Sequence, residues 1–131
     1  MQVMLDTNIL ISAFIFKSKT MNTLIKKLSE EHEIIMLSYC IEELKELINI
    51  KFNIDTKKLE NFLKSFPYKL VIPKMDNNEK IFNIRDENDY IILHTAIIED
   101  VDILITGDKD FKAVEIERPE ILTAREFLDR Y

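Results

Sequence analysis

The sequence predicts an α/β fold in three layers, with a central, mostly parallel sheet between two layers of helices. Short apolar runs of strand length alternate along the chain with longer segments in which apolar residues recur every three or four positions. Such alternation favours parallel strands joined by crossover helices. We expect all 131 residues to form one domain, because a chain of this length with 47% apolar residues can bury a core.

The first half of the chain is predicted to hold two strands and four helices. The strands are the apolar runs at 2–5 and 34–37. The first helix follows the first strand directly, and the second begins at Thr20 or Asn22. Ser38 is expected to cap the third helix, and the fourth ends at the first proline of the chain.

The second half is predicted to continue the alternation. Strands or short strand pieces are expected at 70–73, 103–105, 113–116 and 120–122. A buried helix is expected over 87–99, and the polar connection 75–84 should contain a short helical turn. Thr123 and Glu126 form the capping-box pattern at the head of a final helix that ends near residue 131.

Composition excludes several classes of function. With one Cys the chain can form no internal disulfide, and with one Gly it lacks the glycine-rich loops that cradle ATP, GTP or NAD. No segment approaches the roughly 20 apolar residues that cross a bilayer, and the N-terminus lacks a secretion signal, so we expect a cytoplasmic protein. The net charge of −6 argues against a polyanionic partner, but residues 45–74 carry a net +4.

Acidic residues recur where strands and helices meet. Asp6 and Asp108 each follow a strand, at the edge where parallel sheets bind ligands. Glu43 lies in the second turn of the third helix, and Asp89 near the start of the buried helix. Four carboxylates gathered in one place would repel one another unless cations neutralise them, and oxygen-only ligands suit Mg2+ or Mn2+.

Each acid taken alone has a simpler explanation. An Asp after a strand is usually a helix cap or a solvated turn residue, and this applies to Asp6 and Asp108. Asp86 and Asp89 could be helix-capping acids, and Glu43 could belong to an exposed helix face. Their recurrence at matching places, within specific short strings, is what favours a shared site.

Four strings resemble the motifs of PIN-domain nucleases. In order, they are Leu5–Leu10, Ser38–Leu47, Asp86–Asp89 and Thr106–Phe111, and residues 121–128 also look like the usual PIN C-terminus. The match spans nearly the whole chain. It is closest to the VapC-like group of toxins from toxin–antitoxin pairs.

The resemblance implies a PIN-like three-layer fold, divalent-metal-dependent cleavage of RNA, frequent homodimerisation and an antitoxin protein as a partner. Carried over by position, the catalytic and metal-binding acids are Asp6, Glu43, Asp89 and Asp108. Asp86 and Asp110 become auxiliary metal-binding acids that act through water, and Asn8 and Thr106 become hydrogen-bond partners that orient Asp6 and Asp108. Glu43 is preferred over Glu42 because it immediately precedes the Leu of the motif, but the doublet leaves both open.

The expected chemistry is hydrolysis of a phosphodiester by a water bound to one or two metal ions, so no His or Cys nucleophile is required. His32, His94 and Cys40 are interpreted as structural residues. Lysines are candidates to contact the RNA backbone, although lysines on amphipathic helices are more often simply solvated. The candidates are Lys17, Lys19, Lys26, Lys27, Lys45, Lys51, Lys57, Lys58, Lys64 and Lys69.

Three other functions can be compared with the sequence. A phosphoacceptor receiver domain needs an Asp at the end of its third strand, and residues 70–74 offer none. A PIN module that binds RNA or protein with little or no turnover stays open. So does a housekeeping nuclease that processes RNA and is not a toxin.

Overall fold

Five parallel strands form the sheet of the computed structural model, which describes residues 1–74 and 80–131. In chain order they are β1 (Gln2–Leu5), β2 (Glu33–Leu37), β3 (Lys69–Val71), β4 (Ile103–Ile105) and β5 (Glu120–Leu122). Their order across the sheet is β3-β2-β1-β4-β5, and every neighbouring pair is parallel. The predicted fold class is therefore confirmed.

Helices join the strands and cover both faces of the sheet, which gives the three-layer α/β/α arrangement. The first helix, α1 (Thr7–Ile11), continues as a π-helical stretch, Ser12–Phe16. The others in the described part of the chain are α2 (Lys19–Glu31), α3 (Ser38–Ile50), α4 (Thr56–Lys64), α5 (Glu87–Ile98), α6 (Lys109–Lys112) and α7 (Ala124–Arg130). Across residues 1–74 and 80–131, no helix is long and apolar enough to cross a membrane.

The three central strands are almost completely buried, which explains why they appear in the sequence as continuous apolar runs and not as alternating ones. Amphipathic helices cover them. For example, α2 buries Leu24 and Leu28, while α3 buries Leu44 and Ile48. The sheet is thus a rigid platform whose strand ends present the loops.

Two helix starts differ from the predictions. α2 begins at Lys19, one residue before the predicted Thr20, because the Ser18 hydroxyl caps it by accepting a hydrogen bond from the Met21 amide at 3.2 Å. Ser38 is the first residue of α3 and not its cap. Leu37 occupies the cap position without a side-chain hydrogen bond, since β2 runs directly into the helix.

Two strand predictions were wrong: one strand has different ends, and another does not form. β3 covers 69–71 instead of 70–73, because its pairing ends where Val71 meets Leu37 and β2 gives way to α3. Residues 113–116 form a turn and a bend, since β5 alone pairs with β4 at that edge.

The helical turn predicted within 75–84 lies partly outside the described residues, and residues 80–84 contain no helical turn. The final helix and its Thr123 capping box are confirmed.

Candidate active site

The site lies at the point where the strand order of the sheet reverses. β1 and β4 are neighbours, but the chain leaves them towards opposite edges of the sheet, and such a switch point opens a crevice beyond the carboxyl ends of the strands. Asp6 directly follows β1, and its backbone amide still bonds to Ile105 of β4 at 3.2 Å. The residues after β1 and after β4 are therefore held side by side.

Asp6 is the most deeply buried acid of the site, with 2% of its surface exposed. Its Oδ1 caps α1 by accepting a hydrogen bond from the Ile9 amide at 3.0 Å, and its Oδ2 accepts one from the Thr106 hydroxyl. Burial raises the pKa of Asp6 above its ordinary value, and these two hydrogen bonds offset part of that rise. Both carboxylate oxygens are therefore fixed in direction.

Thr106 links Asp6 to Asp108. Thr106 as a whole is 1% exposed. Its hydroxyl donates a hydrogen bond to Asp6 and accepts one from the Asp108 amide at 3.0 Å. Asp108 then caps α6, with Oδ1 accepting from the Asp110 amide at 2.9 Å. The sequence assigned an orienting role to Thr106, and these contacts are the means by which it could act.

Asn8 was expected to orient the acids through its side chain. Its side chain is exposed and makes no hydrogen bond to either Asp6 or Asp108 in the described structure. The contact with Asp6 comes from the Asn8 backbone amide, which helps lower the pKa of Asp6. A backbone amide at the first turn of α1 performs this role because Asp6 is the cap of that helix.

Three further carboxylates converge beside Asp6. Asp89, Asp108 and Asp110 each place an oxygen within 4.8 Å of the others, and all three are partly exposed. The pKa of Asp89 is raised to about 7, first by burial and then by the negative charges of Asp108 and Asp86. This crowding of like charges is the condition that a divalent cation would relieve.

Asp86 and Glu43 lie at the periphery of this group. Asp86 caps α5, accepting a hydrogen bond from the Asn88 amide at 2.9 Å. Glu43 projects from α3 and accepts a hydrogen bond from the Thr7 hydroxyl at 2.8 Å. Its neighbour Glu42 has a side chain that is 73% exposed and lies 3.6 Å from the Lys45 ammonium. Of the two glutamates, Glu43 is the one that contacts α1, the helix that Asp6 caps.

Two features of the site escaped the sequence interpretation. Thr7, which holds Glu43, stands beside Asp6 within the first motif, so its position in that string was an available signal. Tyr39 had none: its hydroxyl donates to the side chain of Asn88, which ties α3 to α5. The pKa of Tyr39 is raised by burial and then by nearby carboxylates, of which Glu43 contributes most.

The residues interpreted as structural are packed accordingly. His94 is buried and stacks on Tyr90 with ring centroids 5.5 Å apart, and His32 meets Phe127 edge-on at the same distance. Cys40 is fully buried, and burial raises the pKa of its thiol to about 12, so it is not a nucleophile at neutral pH.

Comparison with known proteins places the chain in a class. The family model of the PIN domain matches residues 2–110, a span that contains Asp6, Glu43, Asp89 and Asp108. The chain therefore belongs to the PIN-domain family, whose members are nucleases.

One solved structure is similar to this chain over nearly its whole length. The chain is similar to a chain of VapBC2 from Rickettsia felis, crystallised with a DNA fragment from its promoter. The TM-score is 0.68 at 25% sequence identity, and the alignment covers 93% of this chain and 97% of that one. No curated protein matches the sequence. The predicted resemblance to VapC-like PIN domains is thus confirmed.

Proposed function

We propose that this protein is an endoribonuclease that hydrolyses RNA phosphodiester bonds with the help of Mg2+ or Mn2+, and that it is the toxin of a toxin–antitoxin pair. The observation that carries the proposal is the convergence of Asp89, Asp108 and Asp110 within 4.8 Å, at a switch point next to Asp6, in a member of a nuclease family. We further propose that its 131 residues form a single cytoplasmic domain.

The donor set fits a hard divalent cation. The converging groups are carboxylates only, and oxygen ligands favour Mg2+ or Mn2+ over zinc. Asp6, Glu43, Asp89 and Asp108 would hold the ion, with Asp86 and Asp110 acting through water. The raised pKa of Asp89 supports this, because a cation beside it would take over the charge compensation that a proton otherwise provides.

The chain's own residues would contribute orientation and charge. When bound, the metal would polarise the phosphodiester and make a bound water acidic enough to act as the nucleophile. The Thr106 hydroxyl lowers the pKa of Asp6 and fixes the direction of its carboxylate, and the same hydroxyl accepts a hydrogen bond from the Asp108 amide. The helix caps at Asp86 and Asp108 hold those carboxyl groups in single orientations. This preorganisation lowers the cost of assembling the site.

RNA is the proposed substrate, and lysines outside the acidic site could bind its backbone. Lys17 lies on two surface grooves, one shared with Lys26 and the other with Lys58. The net +4 of residues 45–74 makes this part of the chain the most favourable for phosphates.

The proposed partners follow from the structural neighbour. VapBC2 from Rickettsia felis was solved bound to promoter DNA, and this chain is alike over nearly its full length. We propose that an antitoxin protein binds and silences this nuclease, and that the nuclease forms a homodimer. Copurification with the product of an adjacent small reading frame would test the first, and light scattering the second.

The central test is cleavage of labelled RNA by the full chain with Mg2+, Mn2+ or EDTA. Cleavage should require metal, and Asp6→Asn should reduce it to background while circular dichroism shows that the fold is kept. Asn can still cap α1. Glu31→Gln, an exposed change at the end of α2, is the matched control and should stay active.

Three outcomes would each contradict part of the proposal. RNA cleavage by Asp6→Asn in EDTA would show that the acids are not the active site. Tight Mn2+ binding by the wild type without cleavage of any RNA tried would instead support a binding module that lacks turnover. Cleavage that no copurifying protein silences would favour an RNA-processing nuclease over a toxin.

A further inference from the structure

We infer that Thr7 is a positioning residue, which holds Glu43 in the orientation that the proposed metal site requires. The inference rests on the proposed function and adds to it a residue outside the expected set of acids and orienting side chains. Thr7 is 7% exposed, and its hydroxyl donates to Glu43 Oε1 at 2.8 Å, although 36 positions separate the two residues.

Glu43 needs such a partner more than the Asp residues do. A Glu side chain has three rotatable bonds, and Glu43 projects from the middle of α3, where no helix cap fixes it. Asp6, Asp86 and Asp108, by contrast, are each fixed by capping a helix. In the part of the chain that the structure describes, Thr7 provides the hydrogen bond that Glu43 accepts.

The geometry of Thr7 suits the task. It is the first residue of α1, directly after Asp6, so the same turn that places Asp6 also places the hydroxyl that meets Glu43. Burial and β-branching restrict its side chain to few rotamers. Because the hydroxyl donates to Oε1 alone, Oε2 of Glu43 remains available to a cation.

Thr7 and Thr106 thus have parallel roles on the two strands of the switch point. Thr106, after β4, donates to Asp6, and Thr7, after β1, donates to Glu43. The competing explanation is that Glu43 merely satisfies a buried hydroxyl of a structural threonine. The two explanations differ in what happens to metal affinity when the hydroxyl is removed.

The test is a calorimetric Mn2+ titration of the full chain with paired variants. Thr7→Val keeps the shape and removes the hydroxyl, while Thr7→Ser keeps the hydroxyl. We expect the valine variant to bind Mn2+ about tenfold more weakly and the serine variant to bind within about twofold of the wild type. The valine change should also lower kcat for RNA cleavage more than it raises KM.

A double-mutant cycle makes the test specific to Glu43. In a Glu43→Ala background, Thr7→Val should have no further effect on Mn2+ affinity, because the side chain that Thr7 positions is gone. If Thr7→Val does not fold, Thr7→Ala takes its place in both comparisons.

The inference is overturned if the hydroxyl-free variant binds Mn2+ as tightly as the wild type, even where its melting temperature falls, because the threonine is then only structural. It is also overturned if Thr7→Val causes an equal loss in the Glu43→Ala background. Failure of the wild type itself to bind Mn2+ would overturn the proposed function together with this inference, so the two failures are distinguishable.

Discussion

The hydroxyl of Thr106 donates a hydrogen bond to Oδ2 of Asp6, although the two residues are 100 positions apart in the chain. The bond crosses from the end of β4 to the end of β1, and it is buried. The same hydroxyl accepts from the Asp108 amide. One small side chain therefore connects the two strands whose divergence creates the crevice.

Removing the Thr106 hydroxyl should impair both stability and the site. Thr106→Val leaves a buried Asp6 oxygen and the Asp108 amide without a partner, and we expect a loss of about 1–3 kcal/mol in the free energy of unfolding. Urea denaturation measures this loss, and Thr106→Ser, which retains the hydroxyl, is the control. Equal stability of the valine and serine variants would contradict the importance of this bond.

The two glutamates of the doublet should differ sharply in activity. Glu43→Gln should reduce kcat/KM for RNA cleavage at least about 100-fold, because it weakens a proposed metal ligand. Mutation of a residue that only supports a ligand typically causes a smaller loss. Glu42→Gln should change it less than about twofold, since the exposed pair with Lys45 is worth little. Comparable losses in the two variants would show that the assignment to Glu43 is wrong.

Stability without metal should depend on pH through Asp89. Its pKa is raised to about 7 in the folded protein from an ordinary value of 3.8, so the folded state binds this proton more tightly than the unfolded state. The resulting contribution to stability is present at low pH and is lost as pH rises from about 4 to about 7. The raised pKa of Asp6 acts in the same direction.

Thermal melts of the EDTA-treated protein between pH 4 and pH 8 measure this dependence. In Asp89→Asn the decline should be shallower, because one of the two groups that cause it is gone. An exposed change such as Glu31→Gln should leave the slope as it is. A slope that Asp89→Asn does not alter would argue against crowding of charge at this residue.

Divalent metal should reverse the destabilisation at neutral pH. Mn2+ that binds only the folded state at about 100 times its Kd adds about 2.7 kcal/mol, which is observable as a higher melting temperature. Asp108→Asn should abolish most of this gain, because Asp108 belongs to the group of three converging acids. Differential scanning calorimetry with Mg2+, Mn2+ and Ca2+ makes the comparison. An equal rise in the Asp108→Asn protein would locate the metal elsewhere.

Much of the fold could be predicted because it depends on patterns among residues that are close together in the sequence. The apolar runs of β1, β2 and β4 and the helical spacing of α5 depend on near neighbours in sequence, and each appeared close to its predicted place. The capping box at Thr123 is likewise a local feature, and it is present. The errors in the strands fell where the outcome depends on a distant partner, as in the register that ends β3 at Val71.

The sequence by itself determined which elements form and which acids stand at their ends, because backbone preference and apolar periodicity act over a few residues. Only the tertiary structure decided which of those ends are neighbours. The strand order puts β1 between β2 and β4, and this brings Glu43 to Thr7 and Asp6 to Thr106 across 36 and 100 positions of chain. Charge crowding at Asp89 arises in the same way, since pKa shifts depend on distance in space, which packing alone sets.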